Sequence, residues 1–127
     1  MKTLPFILAL AAVSGSTPGF AQSIPDIDAG KRTFGQCMAC HTAAPGGADM
    51  TGPNLAGVYG SKAATRRAKF AYSAALKASG LTWDDATLDK WLTDPAKLVP
   101  GTKMEFLGIA RKPARDNVIA YLKTLPK

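Results

Sequence analysis

A chain of 127 residues with a formal net charge of +7 holds a single domain. A basic balance admits nucleic acid, a membrane surface or an acidic protein as partner, but no nucleic-acid-binding module is legible here. With two cysteines and one histidine in all, the chain has too few Cys and His to build a four-ligand zinc site easily.

Met1-Lys2-Thr3 leads into an apolar run from Leu4 to Val13, broken by Ser14-Gly15-Ser16-Thr17-Pro18. Gly19-Phe20-Ala21 follows, with small residues at its first and third places. A positive start, a short apolar stretch and a small-x-small site make a secretory signal peptide over residues 1–21, cleaved after Ala21. The alternative, an uncleaved anchor, is opposed by length, because a bilayer takes about 20 apolar residues. The expected mature chain is then 22–127, soluble, with the periplasm as destination. Export takes the cysteines into an oxidising compartment, where a disulfide competes for them.

Asp26 or Asp28 can cap a first helix over roughly Ala29 to Cys37. Gly30 and Phe34 lie four apart on one face of it. A glycine inside a helix costs about 1 kcal/mol relative to alanine, so Gly30 is best explained by a second helix crossing closely there.

Residues 37–41 read Cys37-Met38-Ala39-Cys40-His41 and hold both cysteines and the only histidine. C-x-x-C-H is the attachment sequence of a c-type haem. The spacing lets two sulfurs reach neighbouring vinyl groups from one turn, and it places the histidine beneath the ring as an iron ligand. A thioredoxin-like pair needs no histidine after its second cysteine and expects a βαβ context. A haem also helps a small domain that buries a modest share of its surface, so the haem-free chain is expected to fold poorly.

After a Gly/Pro-rich loop comes Thr51-Gly52-Pro53-Asn54-Leu55, read by spacing as a turn. A carbonyl in such a turn can receive the second ring N–H of a metal-bound histidine. Residues 56–70, with Lys62, Arg66, Arg67 and Lys69, read as an irregular, charged loop. A helix over Tyr72 to Ser79 closes at Gly80. Thr82 caps the next, with Asp85 three residues on, and Leu88, Trp91 and Leu92 form its buried stripe before Asp94-Pro95 ends it.

Pro100-Gly101-Thr102-Lys103-Met104 reads as a loop. Of the mature methionines, Met38 lies between the cysteines and Met50 too near His41, which leaves Met104 as either a second iron ligand or core filler. A last helix covers Ala114 to Leu125, opened by Pro113, with a stripe of Val118, Leu122 and Leu125 extended by Tyr121.

Gly30…Phe34, Cys37-x-x-Cys40-His41, the T-G-P-N-L turn, Tyr72, Thr82-Trp83, P-G-T-K-M and Val118-Ile119-Ala120-Tyr121-Leu122 together resemble a class I cytochrome c of the mitochondrial or bacterial c2 type, in order, over nearly the whole mature chain. The resemblance implies an all-α fold of about four to five helices around one covalent haem c, with the first and last helices crossing. It implies thioether bonds at Cys37 and Cys40 and axial ligation by His41 and Met104. The Pro53 carbonyl would hold His41, and Tyr72 and Trp83 would bond a propionate.

The function implied is one-electron transfer, not enzymatic catalysis. Implied partners are a cytochrome bc1-type complex, a terminal oxidase, a photosynthetic reaction centre or a periplasmic dehydrogenase, docking through Lys97, Lys103 and Lys112, with the protein a monomer that binds no nucleic acid and does not insert in the membrane. Departures from the family are Trp91 where a tyrosine is usual, Leu76 for asparagine, and Ser61 for an arginine beside Lys62. Gln36, Ala96 and Ala110 stand at sites often lysine. Two other readings are a haem subunit dedicated to one dehydrogenase, favoured by an apolar patch at Phe106 and Leu107, and a peroxide- or gas-binding haem protein with an open iron.

Overall fold

Gly30 decides how the two ends of the chain meet. A computed structural model describes residues 12–19 and 23–127, and in it helix α1 (Ile27–Phe34) packs on the last helix at this glycine. A Cβ at position 30 would meet the backbone carbonyl of Asn117. The missing side chain lets the helices close up, and Phe34 stacks against Tyr121 with ring centroids 5.1 Å apart. The Asp26 backbone N–H donates to the Asn117 side chain at 2.8 Å, pinning the start of α1 to the same place. The leader expected over residues 1–21 falls largely outside the described residues; residues 12–19 form no helix or strand.

Asp26 caps α1 by accepting the Ala29 N–H, and Asp28 sits in the first turn, where a negative charge is favourable. The helix begins two residues earlier than the sequence suggests and stops at Phe34. A 3₁₀ turn, Gly35–Ala39, then carries Cys37. Gly35 is a poor helix former, and the tighter turn takes over from it.

Residues 40–73 contain no helix. Asn54, buried, organises the first part: its amide donates to Thr42 Oγ1 at 2.7 Å and the Ala44 carbonyl at 2.8 Å, and its oxygen accepts the Ala56 N–H. Lys62 pairs with Thr82 in an isolated antiparallel bridge. That pairing uses Thr82, so the expected Thr82 cap gives way to Asp84, which accepts the Thr87 N–H at 2.8 Å and starts α3 (Asp85–Thr93). Ahead of it, α2 (Ala74–Ser79) begins at a Ser73 cap rather than at Tyr72, and ends at Gly80 with φ of +64°.

Asp94-Pro95 ends α3 and also begins α4 (Pro95–Leu98), because Asp94 turns to cap the Lys97 N–H. The sequence reading anticipated only the stop. Residues 101–111 then run without helix to α5 (Lys112–Thr124). Gly108, at φ +96°, brings this segment against the Thr93 carbonyl, and the Ile109 N–H donates to Leu92 at 2.7 Å. Arg115, which sequence reasoning passed over, is buried beneath it. Its guanidinium donates to the Ile109 and Ala110 carbonyls, each at 2.9 Å, and to Asp89 of α3 at 2.7 Å.

Four of the five helices of the described residues point buried apolar side chains inward: Phe34 from α1, Leu76 from α2, Leu88, Trp91 and Leu92 from α3, Val118, Ile119 and Leu122 from α5. Each such side chain stabilises the fold by about 1.5–3 kcal/mol when fully buried. Trp83 joins them from the 80–84 segment, edge-on to Trp91 at 5.0 Å. Among the described residues no helix is long and apolar enough to cross a membrane.

Gly30→Ala gains up to about 1 kcal/mol of helix propensity, yet must push two backbones apart, which costs about 1–3 kcal/mol. The net expectation is a lower denaturation midpoint, read by chemical unfolding. The Asp84 carboxyl is held below its usual range, chiefly by the Thr87 backbone N–H. A depressed folded-state pKa gives stability that is full above the unfolded value of about 3.9 and lost as pH falls through the folded one. Asp84→Asn keeps the cap and removes the titration, so the acid limb of midpoint against pH becomes shallower.

Candidate haem site

His41 is placed by the 3₁₀ turn before it and the proline turn after it. The Cys40 and His41 N–H groups both donate to the Cys37 carbonyl, at 3.1 and 2.9 Å, which folds the C-x-x-C-H segment back on itself. The Gly52 N–H donates to the Cys40 carbonyl at 2.8 Å and draws the second turn alongside. His41 Nδ1 then lies 2.7 Å from the Pro53 carbonyl oxygen. A carbonyl only accepts, so Nδ1 carries the proton and Nε2 keeps its lone pair. Burial pushes the His41 pKa down, against the Pro53 bond, which raises it. The imidazole is thus kept neutral, the form that ligates a metal.

Gly52 passes directly over this ring. A Cβ there would lie 2.6 Å from His41 Nδ1 and 2.8 Å from Nε2, so the glycine is a condition for the histidine's position.

The ring borders a cavity of about 630 Å³ at the centre of the molecule. The residues expected to hold the haem all line it: Cys37, Cys40, His41, Pro53, Tyr72, Trp83 and Met104. Cys37 is half-buried and Cys40 exposed. Burial raises the Cys37 pKa, and the neighbouring Cys40 adds to this, so Cys37 rests as a thiol. Met104 is half-buried on the helix-free segment, its N–H donating to Thr102 Oγ1 at 3.3 Å. The remaining wall is mostly apolar, from Phe34, Leu76, Leu88, Leu92, Val118 and Leu122.

The lining also carries charge, three cations and the carboxylate of Glu105. Lys62, Arg66 and Lys103 all border the cavity. Arg66 also donates to the Ala56 carbonyl at 3.1 Å, and Lys103 reaches Ala71 at 3.4 Å. Ser61, by contrast, turns to the Val58 carbonyl at 2.6 Å. Lys97 and Lys112 lie outside the lining, and Lys112 is ion-paired with Asp116 at 2.7 Å. The Trp91 indole lines the cavity in the buried stripe of α3.

Two features of the site carried little sequence signal. Asn54 looked like one more turn residue until its three side-chain bonds appeared. Asp49 accepts the Asn54 N–H at 2.8 Å and the Arg67 Nε–H at 2.7 Å, across 18 residues that show no pattern linking the two. The Asp49 carboxyl is held below its usual range, first by the Asn54 N–H and further by Arg67.

A thiol pair and a neutral, oriented imidazole on the wall of a large apolar cavity fit one chemical occupant well: a flat, apolar macrocycle with a metal at its centre, attached through sulfur. An all-α chain built around such a space defines a small covalent haem protein. The comparisons with known proteins agree. Residues 27–126 match the family model described as Cytochrome c. The chain is 50% identical to cytochrome c2 of Rhodoblastus acidophilus over 97 residues, which is 76% of this chain and 90% of that protein. It is 44% identical to cytochrome c2 of Rhodomicrobium vannielii over 124 residues, 98% of this chain and 97% of that one. Among solved structures it resembles cytochrome cH from Methylobacterium extorquens, with a TM-score of 0.74 and 50% identity over 78% of this chain and 98% of that one.

The chain belongs to the cytochrome c family, of the c2-like kind. It carries covalently bound haem c and is an electron-transfer protein, not an enzyme.

Gly52→Ala tests the packing over His41. The added methyl drives the ring or the loop aside, so the haem-loaded variant should melt at lower temperature than wild type and yield less holoprotein, as measured by visible absorbance per mole of chain.

Proposed function

We propose that this protein is an exported, soluble periplasmic carrier that accepts and donates one electron through a haem held by Cys37, Cys40, His41 and Met104. When bound, the haem supplies the Fe(III)/Fe(II) couple. Cys37 and Cys40, carried on a single turn, would hold it through two thioether bonds, one thiol to each of two vinyl groups. His41 offers its Nε2 lone pair while Pro53 fixes the opposite side of the ring. Met104 offers a thioether sulfur, a soft ligand that raises the potential. Held by both His41 and Met104, the group would need little rearrangement to gain or lose one electron. Tyr72 and Trp83 border the same cavity and serve as donors to a propionate.

The observation that carries this reading is the bond from His41 to Pro53, which turns the unprotonated nitrogen into a ligand beside a cavity that also takes in Met104. The leader pattern of residues 1–21 supports export. Redox partners of the kinds the family resemblance implies, a bc1-type complex as donor and an oxidase, reaction centre or dehydrogenase on the other side, fit the positive net charge. Lys103, at the cavity, is the best placed of the three docking lysines, while Lys112 is compensated by Asp116. One observation favours a second reading, a haem subunit dedicated to a single dehydrogenase. Leu107 is fully exposed beside Phe106, which lines the cavity.

The visible and near-infrared spectra of the matured protein test the ligation. Wild type should be low-spin with a methionine-to-iron charge-transfer band, and carbon monoxide should leave the reduced spectrum unchanged. Met104→Ala should lose the band and bind carbon monoxide. A high-spin wild type that binds carbon monoxide rapidly would overturn the carrier reading in favour of a gas- or peroxide-binding one.

A further inference from the structure

The peptide unit between Pro53 and Asn54 is gripped from both ends. Its carbonyl oxygen accepts from His41 Nδ1 at 2.7 Å, and its N–H donates to Asp49 Oδ1 at 2.8 Å. The same Oδ1 accepts the Arg67 Nε–H at 2.7 Å, and Arg67 Nη2 donates to the Gly47 carbonyl at 3.1 Å. Arg67 thus closes the loop that holds Asp49 from the outside. A continuous line of hydrogen bonds runs from Arg67 through Asp49 and one amide to the imidazole.

We propose that the Asp49–Arg67 pair is a positioning clamp for His41, which fixes and polarises the Pro53–Asn54 amide and thereby helps to set the reduction potential. The inference rests on His41 being the iron ligand. A negatively charged acceptor on an amide N–H draws electron density toward the carbonyl oxygen, since hydrogen bonds in a chain polarise one another. The Pro53 oxygen then pulls harder on the His41 Nδ1 proton. A more basic imidazole donates more to iron and favours Fe(III). Arg67 keeps Asp49 aligned with the amide, and its bond to Gly47 stops the loop from swinging outward. Both side chains are partly exposed, at 31% for Arg67 and 23% for Asp49, so they can be changed without opening the core.

Charge alone and the clamp give opposite results for Arg67. Removing a nearby positive charge stabilises Fe(III) and lowers the potential. Releasing the clamp weakens the hold on His41 and raises it. The test measures the midpoint potentials of Arg67→Gln, Asp49→Asn and the double variant, in the haem-loaded protein. The clamp predicts an upward shift in all three, with the double variant no higher than Asp49→Asn alone. A downward shift in Arg67→Gln, with the double variant back at the wild-type potential, would overturn it.

A second measurement does not depend on iron ligation. Hydrogen exchange of the Asn54 backbone amide should quicken several-fold in Arg67→Gln if Arg67 holds Asp49 to it. Unchanged exchange would overturn the clamp even where the wild-type spectrum supports His41/Met104 ligation. A wild type lacking that ligation would instead overturn the functional reading, whatever the amide does.

Discussion

The apolar side chains of this chain converge on a space that they do not fill. Phe34, Leu76, Trp83, Leu88, Trp91, Leu92, Val118 and Leu122 all border one cavity of about 630 Å³. A packed interior leaves few voids larger than a water molecule, and a gap of this size forfeits contacts along its whole lining. Its place in the economy of the fold is therefore that of a missing core. The short helices and the long helix-free stretches follow from it. Residues 40–73 and 101–111 need not pack against other protein on their inner side, because haem takes that role, and their backbone is held instead by local bonds such as those of Asn54 and Arg115.

That division explains what could be read from the sequence. The helix faces were legible because their signal is periodic: Gly30 with Phe34, Leu88 with Trp91 and Leu92, and Val118 with Leu122 all lie where the spacing put them. The C-x-x-C-H turn was legible because its chemistry needs those residues at that interval. The helix starts were not. Thr82 and Asp84 are both favoured cap types, with Asp somewhat the better, and the bridge between Lys62 and Thr82, formed by distant segments, takes Thr82 out of contention. Arg115 was passed over because nothing in its spacing marks it, and three partners on two segments surround it. Long-range polar contacts leave no period in a sequence, so the electrostatic part of the site had to come from the structure.

The charges sort by surroundings more than by number. Arg115 spends its charge in the interior, on Asp89, and Arg67 spends its own on Asp49 at a partly exposed site. Lys112 and Lys123 are paired at the surface with Asp116 and Asp85, where such contacts contribute little, typically about 0–1 kcal/mol, and mainly lower the local field. Lys62, Arg66 and Lys103 stand at the cavity itself. A net charge of +7 thus overstates the field a partner meets on some faces.

The bond between Asp26 and Asn117 joins residues 91 positions apart. Contacts of that separation reward the chain only after its whole length is available, since loop closure must come first. A polypeptide emerging N-terminus first therefore holds α1 and the cysteine turn without the helix that locks them until α5 has followed. Until α5 docks, the turn that carries Cys37 and Cys40 lacks the partner that fixes α1 in place, so the two cysteines sit on the part of the fold that is completed last.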